Sequence, residues 1–594
     1  MQLEQIIKNN FAKAFGEIYS QEINANTIAI QQTRKEFEGD FTVNVFPFVR
    51  FAKSKPEELA NKIGEYFVAN MPEIEAFNVI KGFLNLSVTE SYWLNETKAA
   101  LQNPNYGFKS VKENDAPIVI EYSSPNTNKP LHLGHIRNNL LGYSIAEILA
   151  ASGKNVKKVN LVNDRGIHIC KSMLAWQKHG KGETPESTGE KGDHLVGKYY
   201  VQFDKDYKVQ IAELMANGKT EKEAKAEAPV IIEAQQMLRQ WEAEEPQVYK
   251  LWETMNAWVY AGFDVTYKKM GVDFDKIYYE SQTYLLGKDV VMQGFESGVL
   301  YQKEDGSIWA DLEDKGLDQK LLLRSDGTSV YMTQDIGTAQ LREEDYAPQA
   351  MLYVVGNEQN YHFEVLKIVL DKLGFKWSEK IEHISYGMVE LPHGKMKSRE
   401  GTVVDADDLI DGIVEDAKKL TAEAGKIDNL TEQEANHLYY QVGMAALKFF
   451  ILKVDPKRKM MFNPAESIDF NGNTGPFVQY AYARIQSIMR RANDAQFGSW
   501  NQTLVINAKE KSLLKLIYTY PAIVQNAAKN YSPAMIAAYA YDLAKEYNQF
   551  YHDNHIMNES DRDVAAFRLD LSSLTAQIIK SSMLLLGIEV PNQM

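Results

Sequence analysis

A short apolar run, Pro117-Ile-Val-Ile-Glu121, leads through a proline-containing loop into a helical stretch that continues to Ala151 and stops at Gly153. A second apolar run, Lys157-Lys-Val-Asn-Leu-Val162, follows at once. Strand, helix and strand in that order are the plan of a parallel crossover, which commits this part of the chain to an α/β, Rossmann-type fold. Strands are predicted to return near Ile277 and Ile308, and Met351–Val355 with Ile381–Val389 to complete the sheet. Each of these last two runs ends at or near a glycine-containing loop, where open parallel sheets bind ligands. Residues 203–262, rich in Ala, Glu and Lys, read as a helical insertion, so the catalytic half spans residues 113–405.

The flanks differ in character. Residues 1–112 alternate helical and strand-like runs and read as a self-contained α+β piece, closed by the turn-forming Asn103-Pro-Asn-Tyr-Gly107. Residues 406–594 are helical nearly throughout, which predicts an all-α bundle. Three or four domains fit 594 residues. No run approaches the roughly 18 apolar residues of a membrane span, and the first residues lack the plan of a signal peptide, so a cytoplasmic protein without a membrane role is expected. The single cysteine, Cys170, excludes an internal disulfide and a cysteine-built zinc site, and no protein-held metal is expected. A net charge of −15 argues against indiscriminate nucleic-acid coating but allows a local basic face.

The densest chemistry lies in Glu121-Tyr-Ser-Ser-Pro-Asn-Thr-Asn-Lys-Pro-Leu-His-Leu-Gly-His135, directly between strand and helix. His132 and His135 stand three apart where a helix begins, so its free amides and macrodipole would favour a phosphate there. Gly134 between them would let a nucleotide approach the backbone. Two imidazoles so placed can donate hydrogen bonds to charge developing on a transferring phosphate, with no covalent intermediate. The alternative is a pair of ordinary helix-start histidines; the surrounding Ser-Ser-Pro-Asn and Lys129 weigh against it.

His132-Leu-Gly-His135 resembles the HIGH motif of class I aminoacyl-tRNA synthetases, and the longer form from Ser123 through Lys129 to Arg137 resembles the arginyl-tRNA synthetase family. Downstream, Gly394-Lys-Met-Lys-Ser-Arg-Glu-Gly401 is similar to a shortened KMSKS loop that lacks the lysine of the usual fourth place. The resemblance implies that Lys129 takes over that lysine's phosphate contact. Catalytic roles then fall to Lys129, His132, His135, Lys395, Lys397 and Ser398. ATP, carrying Mg²⁺, would be held by His132, Gly134, His135, His362, Gly387, Met388 and Lys395.

A guanidinium is a planar, donor-only cation, so its pocket should offer carboxylates and aromatic walls. Tyr331 and Asp335 lie one helical turn apart after a predicted strand and suit that task, although a core tyrosine and a cap aspartate are the plainer readings. The resemblance adds Glu280 for the side chain of L-arginine, and Glu121, Asn126 and Gln359 around its ammonium group. It also implies tRNA(Arg) as partner, and bound tRNA is commonly needed before the family forms adenylate.

Residues 445–500 carry eight basic and four acidic side chains, an excess of four in an acidic chain. Arg484, Arg490 and Arg491 with Tyr547 and Tyr551 are therefore candidate tRNA contacts, although aromatic residues at helical spacing are more often core. A monomer is expected. The expected activity is ATP-dependent ligation of L-arginine to tRNA(Arg) through arginyl-adenylate. Its rivals are a small-molecule nucleotidyltransferase, a class I synthetase of another specificity, and a non-catalytic RNA-binding relative.

Overall fold

The computed structural model describes residues 3–34, 36–112, 114–390, 404–423, 430–493, 499–501 and 504–594. It forms two compact units: one of Met1–Tyr106, Arg484–Tyr520 and Leu543–Ile578, the other of Gly107–Ala483, Pro521–Asp542 and Ile579–Met594.

The second unit is organised by a five-stranded, all-parallel sheet in the spatial order Ile381–Tyr386, Ala350–Gly356, Ile118–Glu121, Val156–Val162, Lys276–Tyr279. The chain winds outward in both directions from Ile118–Glu121, whose four residues are all buried, so the topological switch lies beside that strand. The helix Leu133–Ala151 follows it and is buried nearly all round, Arg137, Asn138, Asn139 and Ser144 included, as in a helix packed on several sides. Gly142 sits where it crosses the chain: a Cβ there would come within 2.3 Å of the Tyr122 side chain.

Two expectations change. The strand Ile308–Ala310 belongs to a separate antiparallel sheet with Tyr301–Gln302 and Lys320–Leu323, and not to the parallel one. Its apolar residues join a cluster with Val291, Leu322 and Ile336, and a short apolar run cannot announce which sheet it will enter. The helical insertion runs from Ile167–His179 to Pro246–Met270, wider than residues 203–262. Its first helix buries Ile169, Cys170, Met173 and Leu174, so its composition matches the catalytic core rather than the charged helices after it.

In the first unit, an antiparallel sheet in the order Ile30–Gln32, Phe41–Asn44, Phe83–Val88, Ile74–Ile80 packs with the helix Pro56–Asn70, which packs in turn with Leu3–Tyr19. The N-terminal piece is not self-contained. Tyr518 accepts a hydrogen bond from the Leu3 amide (2.7 Å) and donates one to Glu4 (2.8 Å). Buried Asp40 accepts the Val88 amide (2.7 Å) and pairs with Lys515 (2.5 Å) and Lys511 (3.1 Å) of the helix Ala508–Tyr518. Residues 470 positions apart leave no trace in local pattern. Because removing one partner strands a buried charge, Asp40→Ala is expected to destabilise this unit by about 3 kcal/mol, read as an earlier transition in a urea titration.

Candidate active site

The strand Ile118–Glu121 ends in a strained turn: Ser123 and Ser124 take φ of 83° and 46°. Such angles cost non-glycine residues about 1–3 kcal/mol each and need a surrounding that over-determines them. Here Asn138 accepts the Ser123 amide and donates to the Val354 carbonyl (2.7 Å), tying the turn to the neighbouring strand across the switch. Asn160 accepts the Ser124 amide (3.0 Å), and the hydroxyls of Ser123 and Tyr267 meet at 2.7 Å.

His132 is the N-cap of Leu133–Ala151, with extended backbone. Its Nδ1 accepts the Gly134 amide and His135 Nδ1 accepts the His132 amide, both at 3.1 Å. The amides expected to receive a phosphate are therefore taken by the two side chains, a reciprocal capping box built from imidazoles. Gly134 is also required for a different reason than expected, because a Cβ there would press on His132 Cε1 at 2.9 Å. Burial pushes the His132 imidazole down to about 4 and that of His135 well below its usual range, so both are neutral. A neutral imidazole that accepts at Nδ1 carries its proton on Nε2. Each ring thus presents one fixed N–H donor.

The chain on either side of residues 391–403 is fastened to this helix. On the leading side, Gly387 donates to the Pro456 carbonyl (2.9 Å), and a Cβ on Gly387 would lie 2.4 Å from the Arg458 carbonyl carbon. Arg137, from the signature helix, donates to the Pro456 (3.2 Å) and Arg458 (2.8 Å) carbonyls. Met388 accepts the Met460 amide, and Val389–Glu390 pairs with Met460–Met461. On the trailing side, Leu133 donates to Val404, Ala406 donates to Leu131, and His132 forms a bridge with Asp405. Lys395, Lys397 and Ser398 lie outside the described residues. Lys129 borders a cavity of about 270 Å³ with His132, His194 and Asp405, and burial lowers its pKa.

Three carboxylates expected from the sequence to hold the amino acid, Glu121, Asp335 and Glu280, are each differently compensated. Glu121 forms a buried ion pair with Arg342, which is 1% exposed, and accepts the Ser124 hydroxyl (2.8 Å). Asp335 meets His362 at 2.5 Å. His362, expected near adenine, is thereby held beside Asp335. Glu280, 8% exposed, has no ion-pair partner among the described residues; burial pushes its carboxyl up to about 7, against Arg165 and a Gln334 hydrogen bond, while Asp164 and Asp335 add to the rise. Tyr331 is 76% exposed and not a core residue. Asn126 and Gln359 are exposed, Asn126 bridged to Asn163 and Gln359 at the N-cap position of the helix Asn360–Lys372 without a capping hydrogen bond from its side chain.

Asp164 is the carboxylate that sequence reading missed. It is 1% exposed and accepts the Ser281 amide (2.8 Å), the Ser281 hydroxyl (2.7 Å) and the Tyr260 hydroxyl (2.7 Å), which fixes the turn carrying Glu280. Beside it, Arg165 lies 3.9 Å from the Tyr284 ring centroid and pairs with Glu242 (2.9 Å). The signal was present: Asn163-Asp-Arg-Gly166 is a second strand-to-helix turn ending in glycine.

In the first unit, Tyr547 is corrected. It is 0% exposed, its hydroxyl meets Ser572 at 3.1 Å, and a ring so enclosed cannot stack on a base. Tyr551 is partly exposed beneath Arg484, whose Cζ lies 5.5 Å from the ring centroid, and Arg484 donates to Asn548 (2.6 Å). Arg490 and Arg491 are exposed in the last turn of Gly475–Asn493, where cations also suit the helix dipole. In the second unit, Lys448, counted toward the basic face, is buried and donates to the Gly587 carbonyl.

A parallel sheet whose first crossover helix starts with paired, donor-presenting histidines defines the catalytic domain of a class I synthetase. Residues 96–463 match the family described as tRNA synthetases class I (R), catalytic domain; residues 478–594 match the DALR anticodon binding domain, and residues 1–88 the arginyl tRNA synthetase N terminal domain. The chain is 57% identical over 597 residues to a Bacteroides fragilis protein named arginine–tRNA ligase, and 56% identical over 606 residues to one of that name from Phocaeicola vulgatus, covering 100% of both chains in each comparison. The solved Thermus thermophilus arginyl-tRNA synthetase shares the fold, with a TM-score of 0.77 at 21% identity over 100% of each chain. The chain belongs to the arginyl-tRNA synthetase family.

The imidazole cap separates stability from chemistry. Asparagine can replace the Nδ1 acceptor, whereas alanine cannot. His132→Ala should therefore cost about 1 kcal/mol in thermal unfolding and His132→Asn much less.

Proposed function

We propose that the chain joins L-arginine to tRNA(Arg) using ATP, in two steps, acting as a cytoplasmic monomer. In the first, an oxygen of the arginine carboxylate attacks the α-phosphorus in line; the new P–O bond forms as the bond to the β-phosphate bridge breaks, and pyrophosphate leaves. In the second, the 2′-hydroxyl of the terminal tRNA adenosine attacks the arginyl carbonyl carbon and AMP leaves. The supporting observation is the fixed Nε2–H tautomer of both His132 and His135, which aims two preorganised donors at charge that develops only in the transition state. Lys129, Lys395, Lys397 and Ser398 add donors and positive charge, and Gly134, Gly387 and Met388 line the nucleotide.

Mg²⁺ belongs to the nucleotide in this reading and neutralises its phosphate charge when bound. Among the described residues, His194, Asp405 and Asp407 alone bring three ligand atoms within 4.8 Å of one another, and their chemistry does not suit a cation. Asp407 is already paired with Lys191 and Lys269, and hydrogen bonding to Asp405 pushes the His194 imidazole up to about 10.

Glu280, Tyr331 and Asp335 take the guanidinium, with His362 orienting Asp335; Glu121, Asn126 and Gln359 surround the ammonium group. Residues 1–112 and 406–594 bind tRNA, with Arg484, Arg490, Arg491 and Tyr551 among the contacts. No helix among the described residues is long and apolar enough to cross a membrane.

ATP–pyrophosphate exchange with arginine and tRNA(Arg) tests this assignment. Exchange that accepts citrulline as readily as arginine would overturn the carboxylate pocket, because a site built for a charged donor rejects its neutral analogue. His135→Ala should lower the exchange rate at least about a hundredfold with arginine KM little changed, whereas Asp335→Ala should act chiefly on arginine KM.

Glu280 supplies a pH signature. A guanidinium needs the carboxylate ionised, and burial leaves it half protonated near 7. Arginine affinity should therefore climb as pH rises toward 7 and level off above it. Near pH 6.5, binding should release a proton, measurable by calorimetry in buffers of different ionisation enthalpy. Glu280→Gln should bind more weakly and abolish both effects.

A further inference from the structure

The helix Gly192–Ala216 of the insertion begins beside His132, on residues the proposed mechanism does not use. His194 Nε2 lies 3.1 Å from Asp405 Oδ2 and 3.5 Å from Asp407 Oδ2. Lys191 pairs with Asp407, reaches Asp193 at 3.0 Å and donates to Thr266 (2.6 Å). Lys269 approaches the other Asp407 oxygen at 3.4 Å and Asp411 at 3.0 Å.

Asp405 has a second duty. Its Oδ1 accepts the amides of Asp407 (2.8 Å) and Asp408 (3.2 Å), capping the helix Ala406–Glu423, while Oδ2 faces His194. Its backbone bridges His132, and its chain neighbours Val404 and Ala406 hydrogen-bond to Leu133 and Leu131. One segment is thus held on one side by the catalytic histidine's own backbone and on the other by the insertion.

The insertion helix has no slack there. A Cβ on Gly192 would lie 2.1 Å from the Trp258 carbonyl oxygen, one on Gly262 2.3 Å from Asp193 Oδ1, and one on Gly197 2.8 Å from Pro130 Cδ, next to Lys129. His194 and Asp405 border the cavity shared by Lys129 and His132, while His194 Nε2, the atom that faces the two carboxylates, is buried.

We propose that His194 is a positioning residue for adenylate formation: its imidazolium, bridging Asp405 and Asp407, holds the segment Val404–Asp407 against His132 and so sets where the His132 Nε2–H points. Charge matters as well as reach. Hydrogen bonds from His194 and Lys191 hold the Asp407 carboxyl well below its usual range although burial alone would raise it, so a neutral side chain at 194 would leave Asp405 facing Asp407 with the cations Lys191 and Lys269 on the Asp407 side alone. The inference rests on the function proposed above.

The test is ATP–pyrophosphate exchange with arginine and tRNA(Arg) on the full chain, with wild type, His194→Ala, His194→Gln and His194→Arg compared and each thermal midpoint recorded. His194→Ala should lower kcat about tenfold, the loss of one charge-assisted bridge, with arginine KM unchanged. His194→Arg, which restores a cation able to reach both carboxylates, should recover to within about threefold of wild type, and His194→Gln should not. The inference fails if His194→Ala turns over like wild type, if glutamine rescues as well as arginine, or if kcat falls only in step with the thermal midpoint. Wild-type protein that fails to exchange arginine refutes the proposed function itself; active wild type with an equally active His194→Ala refutes only the role of His194.

Discussion

A helix that starts at the switch point of a parallel sheet exposes amides that need acceptors, and this chain satisfies two of them with the imidazoles of His132 and His135. That exchange governs the rest of the site. Accepting at Nδ1 forces the proton to Nε2, and burial keeps both rings neutral, so the tautomer is structural before it is chemical. The strained Ser123-Ser124 turn brings the chain to this helix, Asn138 pins turn and strand together, and Arg137 and Leu133 fasten the chain on either side of residues 391–403 to its first turns.

The carboxylates show how position alone separates roles. Glu121 and Arg342 are buried as a pair, a geometry that fixes the end of the first strand at the point where removing either charge would be costly. Asp164 is buried without a cation but collects three hydrogen bonds, enough to make it a rigid acceptor for the Ser281 turn. Asp335 keeps a histidine. Glu280 has no ion-pair partner among the described residues and burial raises its carboxyl to about 7, so it gains from an arriving guanidinium.

The parallel strands and the signature helix were legible because each is a local pattern: a buried β-branched run, a glycine or proline break, a helical run. The histidine pair and Tyr331 with Asp335 were legible for the same reason, since a spacing of three or four on one helix states proximity outright. What escaped depends on distant partners. Asp164 acquires its meaning from Tyr260 and Ser281, about a hundred residues on, and Asp40 from Lys511 and Lys515. Tyr547 lies among polar neighbours in the chain and Lys448 carries a charge, so both could be counted toward a surface, yet tertiary packing encloses both. The strand at Ile308 carries no mark of the sheet it joins.

Neutral histidines impose a requirement elsewhere. A hydrogen bond from an uncharged imidazole can follow charge as it shifts between phosphate oxygens, but it does not cancel the net charge of a nucleotide triphosphate. That charge needs cations, and among the described residues Lys129, an ammonium that burial already disfavours, borders the same cavity as His132. Asp405 on the other side of His132 works in the opposite sense to Lys129 on that ring, and its own charge is answered by His194. A desolvated ammonium gains more from an incoming polyphosphate than a hydrated one would, because the water it would have to release is already gone. Burial therefore acts on both kinds of group to one end: it removes charge from the imidazoles so that they can only donate, and it leaves the lysine in want of the anion that the reaction brings.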